Sequence, residues 1–292
     1  MKNSKIIFIL AAFLFSNNAF AGGPWPQKKG NGYFKVSEWW TVFDQHFTDQ
    51  GKIDPNVTTG IFNTSLYAEY GLTSRLTGVV YFPFLSRNYM NDRISATTGE
   101  TLTKGEAINT IGDTDVSLKY GLSKPGSKIP LAATLTFGIP LGKTSGGAEG
   151  NLQTGDGEFN QLLQVDAGTS FPIGKSINGY ASAYVGVNNR TNGFSDEFRY
   201  GLEFGAGFWK NKLWIISRLT AVESFKNGDT AESITSTSIF ANNTEFTSFG
   251  LEVAYYVTER VGLSAGFAGA FRGEVVAASP SYSVGVFYDL KR

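Results

Sequence analysis

From about Gly30 to its end, this chain repeats one pattern: short segments in which every second residue is apolar. In the last of them Tyr282, Val284, Val286, Tyr288 and Leu290 alternate with Ser283, Gly285, Phe287 and Asp289. A period of two places alternate side chains on opposite faces of a β-strand. The recurrence of the pattern in nearly every segment, with small or charged residues on the second face, fits a sheet closed into a barrel. Lipid then lies outside and a polar lumen inside. The expected fold class is all-β, a transmembrane antiparallel up-and-down barrel of about twelve strands.

The first 21 residues read as export machinery. Lys2 and Lys5 form a basic start, Ile6 to Phe15 an apolar run, and Ala19-Phe20-Ala21 a small-x-small cleavage site. This is the layout of a cleaved secretory signal peptide, and the apolar run is too short for a spanning helix. The expected division is a signal peptide over 1–21, a short periplasmic segment over 22–32, and the barrel over 33–292. Since only about ten mature residues precede the first strand, no plug is expected ahead of the barrel.

Composition supports the barrel and removes other classes. The absence of cysteine excludes disulfides, thiol chemistry and a cysteine zinc site. Glycine is 35 of 292 residues and aromatics reach 14%, while charged residues stay at 17%. That balance suits a membrane barrel better than a disulfide scaffold or a charged disordered chain. Zero formal charge and the lack of a basic run argue against nucleic acid as a partner.

Strands are expected near 33–47, 61–70, 76–85, 111–122, 130–141, 158–171, 178–189, 197–209, 213–224, 245–257, after 260 to 271, and 281–290. Connections after the even-numbered strands are short, such as Gly71 to Arg75 and Thr258 to Arg260. The others are longer, notably Thr48–Thr59, Ser86–Thr110, Gly142–Gly157 and Phe225–Thr244. Short periplasmic turns opposite longer external loops are the habit of outer-membrane barrels. Tyr70, Tyr120, Tyr255 and Tyr288 recur at the turn ends of strands, where amphipathic rings would form a membrane girdle.

Strand register assigns the inner face. Candidate lumen-lining residues are Glu69, Asp113, Asp115, Lys119, Asp166, Arg199, Glu203, Glu252 and Arg272, joined by Lys35. Register around Arg218 is ambiguous, so it is a weaker candidate. A charge facing lipid at mid-membrane costs roughly 2–4 kcal/mol for Arg or Lys, so inward placement follows from energetics alone. Such groups could line a water-filled path, or neutralise one another in a filled barrel. Twelve strands fall between barrels filled by side chains and those holding an aqueous channel. The inward glycines leave space and favour a conduit.

No catalytic, metal or cofactor site is assigned. The single histidine, His46, has only Thr41 and Thr48 as near hydroxyls, which does not fit the serine–histidine pair of a barrel-embedded lipid hydrolase. Asp113 with Asp115, and Asp156 with Glu158, could offer oxygens to calcium, but the twelve-residue calcium-loop spacing is missing. An adhesin acting through external loops such as Ser86–Thr110 remains the alternative to a channel or transporter for small solutes.

Two resemblances add to this reading. Ser283-x-Gly285-x-x-Tyr288-x-Leu290 resembles the terminal-strand signal read by the outer-membrane assembly machinery, although Lys291-Arg292 extend beyond it. The order Gly112-Asp113-Thr114-Asp115, Gly138-Ile139-Pro140-Leu141-Gly142 and Thr154-Gly155-Asp156-Gly157 resembles the barrels grouped as "MetA-pathway of phenol degradation" or putative transporter proteins. That resemblance implies a Gram-negative outer-membrane protein taking up small molecules, including apolar ones, and supplies no binding residues.

Overall fold

The computed structural model describes residues 22–124, 126–229 and 240–291. The expected signal peptide, 1–21, lies outside the described residues, as does part of the connection between Phe225 and Thr244.

Among the described residues twelve strands close into one antiparallel barrel. They are β1 (Gly32–Phe47), β2 (Ile53–Gly71), β3 (Leu76–Met90), β7 (Thr114–Gly121), β8 (Leu131–Ile139), β9 (Asn160–Ile173), β10 (Ile177–Asn189), β11 (Glu197–Phe208), β12 (Leu213–Ser224), β13 (Glu245–Tyr256), β14 (Val261–Glu274) and β16 (Ser281–Leu290). Each pairs with the next along the chain, and β1 closes the ring by pairing with both β2 and β16. Closure leaves no open edge, which is the condition for a sheet to sit in lipid, where water cannot satisfy backbone groups.

Four short strands lie outside this ring. β4 (Arg93–Ile94) and β5 (Thr101–Thr103) make a small hairpin, β6 (Glu106–Thr110) extends β3, and β15 (Val276–Ala277) pairs with the outer end of β1. Two expected loops are thereby corrected. β2 begins at Ile53, within the expected loop Thr48–Thr59, and much of Ser86–Thr110 is strand. Polar residues such as Asn56, Asn88 and Asn109 mark these stretches as loop in a membrane reading. They are paired strands that rise past the apolar band.

The turns at the other end are held by side chains. Thr73 Oγ1 accepts from the amides of Arg75 and Leu76, and Thr258 Oγ1 does the same for Arg260 and Val261. A Thr two places before Arg therefore builds the same tight turn twice.

Outward side chains are the apolar ones: Val116, Leu118, Val165, Val185, Leu202, Phe204, Val253 and Val286 are all exposed on the barrel's surface. Tyr70, Tyr120, Tyr255 and Tyr288 are exposed there too, near the short-turn end. Inward positions carry the buried polar groups, among them Ser65, Glu69, Thr77, Ser117, Lys119 and Asp166. The usual order of a soluble protein is inverted, because lipid rather than water covers the outside.

Candidate functional site: the occupied lumen

Residues 22–31 do not hang below the barrel; they turn back into it. The Gln27 amide donates to Thr77 Oγ1 (2.8 Å), and its side-chain Nε2 donates to Glu69 Oε2 (2.9 Å). The Gly22 amide donates to Glu69 Oε1 at 3.0 Å. Pro24 is fully buried, and Trp25 stands edge-on to Tyr180 with ring centroids 5.6 Å apart. Gly168 in the wall leaves the room: a Cβ there would sit 2.8 Å from Pro24 Cγ. This corrects the expectation that no plug precedes the barrel. Ten extended residues reach about 30 Å, so a short segment is long enough to fold back across the mouth.

Glu69 is the hub of this contact. It is fully buried and also takes the Tyr67 hydroxyl (2.5 Å) and Lys119 Nζ (3.4 Å). Its charge is thus matched by one ammonium and several donors, the condition under which a buried carboxylate is tolerated.

A second network crosses the lumen wall from β1 to β11. Arg218 Nε donates to Glu203 Oε2 (2.5 Å) and its Nη1 to Glu252 Oε2 (2.7 Å), while Lys35 Nζ binds Glu252 Oε1 (2.7 Å). Tyr180 donates its hydroxyl to Glu203 at 2.6 Å. Arg218 was ambiguous in sequence because both faces of β12 are apolar near it: Trp214 and Ile216 share its face, Ile215 and Leu219 the other. Pairing of Glu203 with Arg218 in the β11–β12 register settles the face.

At the loop end a third group of charges gathers around one arginine. Arg190, just after β10, is clamped by Asp156 (3.0 Å), Glu158 (2.6 Å) and Glu197 (2.8 Å), and Glu197 also pairs with Arg199 (2.5 Å). Asp113 accepts from the amides of Gly142 (2.8 Å) and Asp156 (2.9 Å). Thr154 Oγ1 donates to the Ile111 carbonyl, and Asn88 Nδ2 to that of Gln153. These bonds seat the β8–β9 connection on the inner side of the mouth. Burial pushes the Asp156 and Glu158 carboxyls above the ordinary carboxylate range, and Arg190 pulls against that rise.

The structure therefore gathers Glu69 with Lys119, Glu203 with Glu252, and Arg199 with the mouth cluster. Asp113 serves as a loop anchor rather than as a bare lumen charge. Asp115 and Asp166 sit on inward positions of β7 and β9, opposite Gly138 and Ala132. Arg272 is a correction. In β14 the ladder slips so that Ser248 faces Ala270 while Thr247 faces Arg272. The extra residue reverses the alternation. Arg272 consequently lies on the outer surface, bound to Glu223 (2.9 Å), which Tyr200 also contacts from the apolar face of β11. A bulge has no composition signature of its own, so register counted from the sequence misses it.

Tyr67 is expected in the lumen from the alternation of its strand, whereas Gln27, Trp25, Tyr180 and Arg190 are not expected from the sequence. Tyr67 carried a signal, as an aromatic two places from Glu69 on the same face of β2; Tyr180 has no acidic neighbour on its own strand, and its partner Glu203 comes from β11. Asp156 and Glu158 turn to Arg190, and among the described residues there is no cluster of three or more acidic or histidine ligands that could hold a metal.

No family model and no curated protein matches this chain. Solved structures do. The outer-membrane channel of the COG4313 group from Pseudomonas putida F1 superposes with a TM-score of 0.61 at 13% identity, covering 94% of this chain and 100% of that one. The β domain of the Bordetella autotransporter BrkA gives 0.51 at 14% identity, over 90% and 100%. The fold is that of an outer-membrane barrel.

Proposed function

We propose that this protein is a channel in the outer membrane of a Gram-negative bacterium, passing small solutes along a polar lumen whose turn-end mouth is partly filled by residues 22–31. One observation carries the reading. The segment that occupies the mouth is seated by hydrogen bonds to Glu69, Thr77 and the Gly71 backbone, by the burial of Pro24 and by the ring contact of Trp25 with Tyr180. It lies outside the ring of strands, so its release would leave the barrel closed. The lumen behind it is polar, and each basic side chain on its wall is paired with a carboxylate. A barrel filled only for stability would favour apolar packing, because buried ion pairs seldom add net stability.

The resemblance to the "MetA-pathway of phenol degradation" barrels adds small apolar molecules to the candidate cargo. The C-terminal strand β16 offers the assembly machinery its terminal signal. The test is swelling of liposomes carrying the refolded mature chain, in solutions of neutral solutes of increasing size. Entry of the smallest solutes with a sharp size limit supports a narrow channel. Liposomes that exclude every solute, although the barrel is folded and inserted, would remove the channel reading.

A further inference from the structure

The lumen's charges are not shared evenly. Four basic side chains lie on inward positions of the barrel strands, and every one is held by a carboxylate: Lys35 by Glu252, Lys119 by Glu69, Arg199 by Glu197, and Arg218 by both Glu203 and Glu252. Two inward carboxylates, Asp115 and Asp166, have no basic partner within ion-pair distance among the described residues. Asp166 is the more telling. It is 3% exposed, its Oδ1 accepts from Gln164 (2.8 Å), and its Oδ2 is buried with no hydrogen-bond partner. Thr134, on the same inward face of β8 as Ala132, the ladder partner of Asp166, sets a buried hydroxyl beside that carboxylate. Asp115 is exposed to the lumen higher up, facing Gly138, whose lack of a side chain leaves it uncovered.

Resting on the channel reading above, we infer that the lumen selects small cations, inorganic or amine-bearing, over anions, and that Asp115 and Asp166 set this preference. An anion entering the lumen finds each basic group already matched. A cation finds an open carboxylate at Asp115 and, in the wall, the charge of Asp166, which attracts it through space without contact. Filters of this kind work by rings or pairs of unneutralised side chains. A single carboxylate about 6 Å from the path in a water-like medium favours a cation and disfavours an anion by roughly threefold each. The expected permeability ratio is therefore roughly fivefold to tenfold after screening by salt.

The experiment is the reversal potential of the refolded mature chain in a planar bilayer under a potassium chloride gradient. Asp115→Asn, Asp166→Asn and the double variant are measured beside it, with folding checked by heat-modifiable gel mobility. Asparagine keeps the shape of each side chain, and Asp115→Asn alters an exposed position, so at least that variant folds. The expected result is potassium preferred over chloride, a smaller preference in each single variant, and a ratio near one in the double variant. Arg93→Gln, in the external loops, leaves the preference intact. Open channels that prefer chloride, or a ratio unchanged in the double variant, overturn this inference and leave the channel standing. A folded barrel that never opens overturns both.

Discussion

Glu69→Ala tests the hold on the N-terminal segment. The carboxylate accepts two hydrogen bonds from that segment, from the Gly22 amide and the Gln27 side chain. A hydrogen bond to a charged group contributes about 1.5–3 kcal/mol, so the pair contributes on the order of 3–6 kcal/mol before compensation. The Gln27 amide bond to Thr77 and the Trp25–Tyr180 contact remain, and water refills the vacated volume. A net loss of about 3 kcal/mol shifts the seated-to-released ratio by roughly a hundredfold. Amide exchange of the 22–28 peptide, followed by mass spectrometry, reads this directly. Exchange there is expected to accelerate by about that factor while strands β9 to β13 keep their protection. Glu69→Gln keeps an acceptor without the charge and falls between. Unchanged exchange in the alanine variant, with the barrel intact, would refute the assignment of Glu69 as the segment's anchor.

Other outcomes follow from the same geometry. Arg190→Ala leaves Asp156, Glu158 and Glu197 facing one another without their shared cation, so thermal stability falls by about 3–5 kcal/mol equivalent and the 142–157 loop loses exchange protection. Leu202→Arg, on the lipid-facing side midway along β11, lowers the folding free energy in bilayers by roughly 2–4 kcal/mol in urea titrations. Arg272→Ala removes a charge that lies outside the barrel, so ion selectivity in planar bilayers stays at the wild-type value; a shift would return Arg272 to the lumen. Tyr180→Phe removes the hydroxyl that binds Glu203 but keeps the ring beside Trp25, so the segment stays seated by amide exchange while stability drops by about 1 kcal/mol.

Much of the barrel was legible because its physics is local. Alternation within each strand and the difference in connection length need no long-range information, and β12 and β16 begin and end where the pattern does. The paired charges were half legible. Their inward placement follows from the cost of charge in lipid, but which acid meets which base depends on strand stagger, as with Glu252 reaching both Lys35 and Arg218. The bulge that turns Arg272 outward, the strand-like nature of Ile53–Thr59, and the return of Pro24 and Trp25 into the lumen left no periodic trace. In each the decisive contact is tertiary: a slipped ladder, a partner strand beyond the membrane band, a glycine in a distant wall.

The most direct test is single-channel conductance of residues 22–292 beside a version that also lacks residues 22–28, both refolded and reconstituted in planar bilayers. A lumen filled at its mouth by that segment predicts small, discrete openings in the whole chain and larger, longer ones once the segment is gone. Equal conductance in the two, or silence in both despite folded and inserted barrels, would contradict the account.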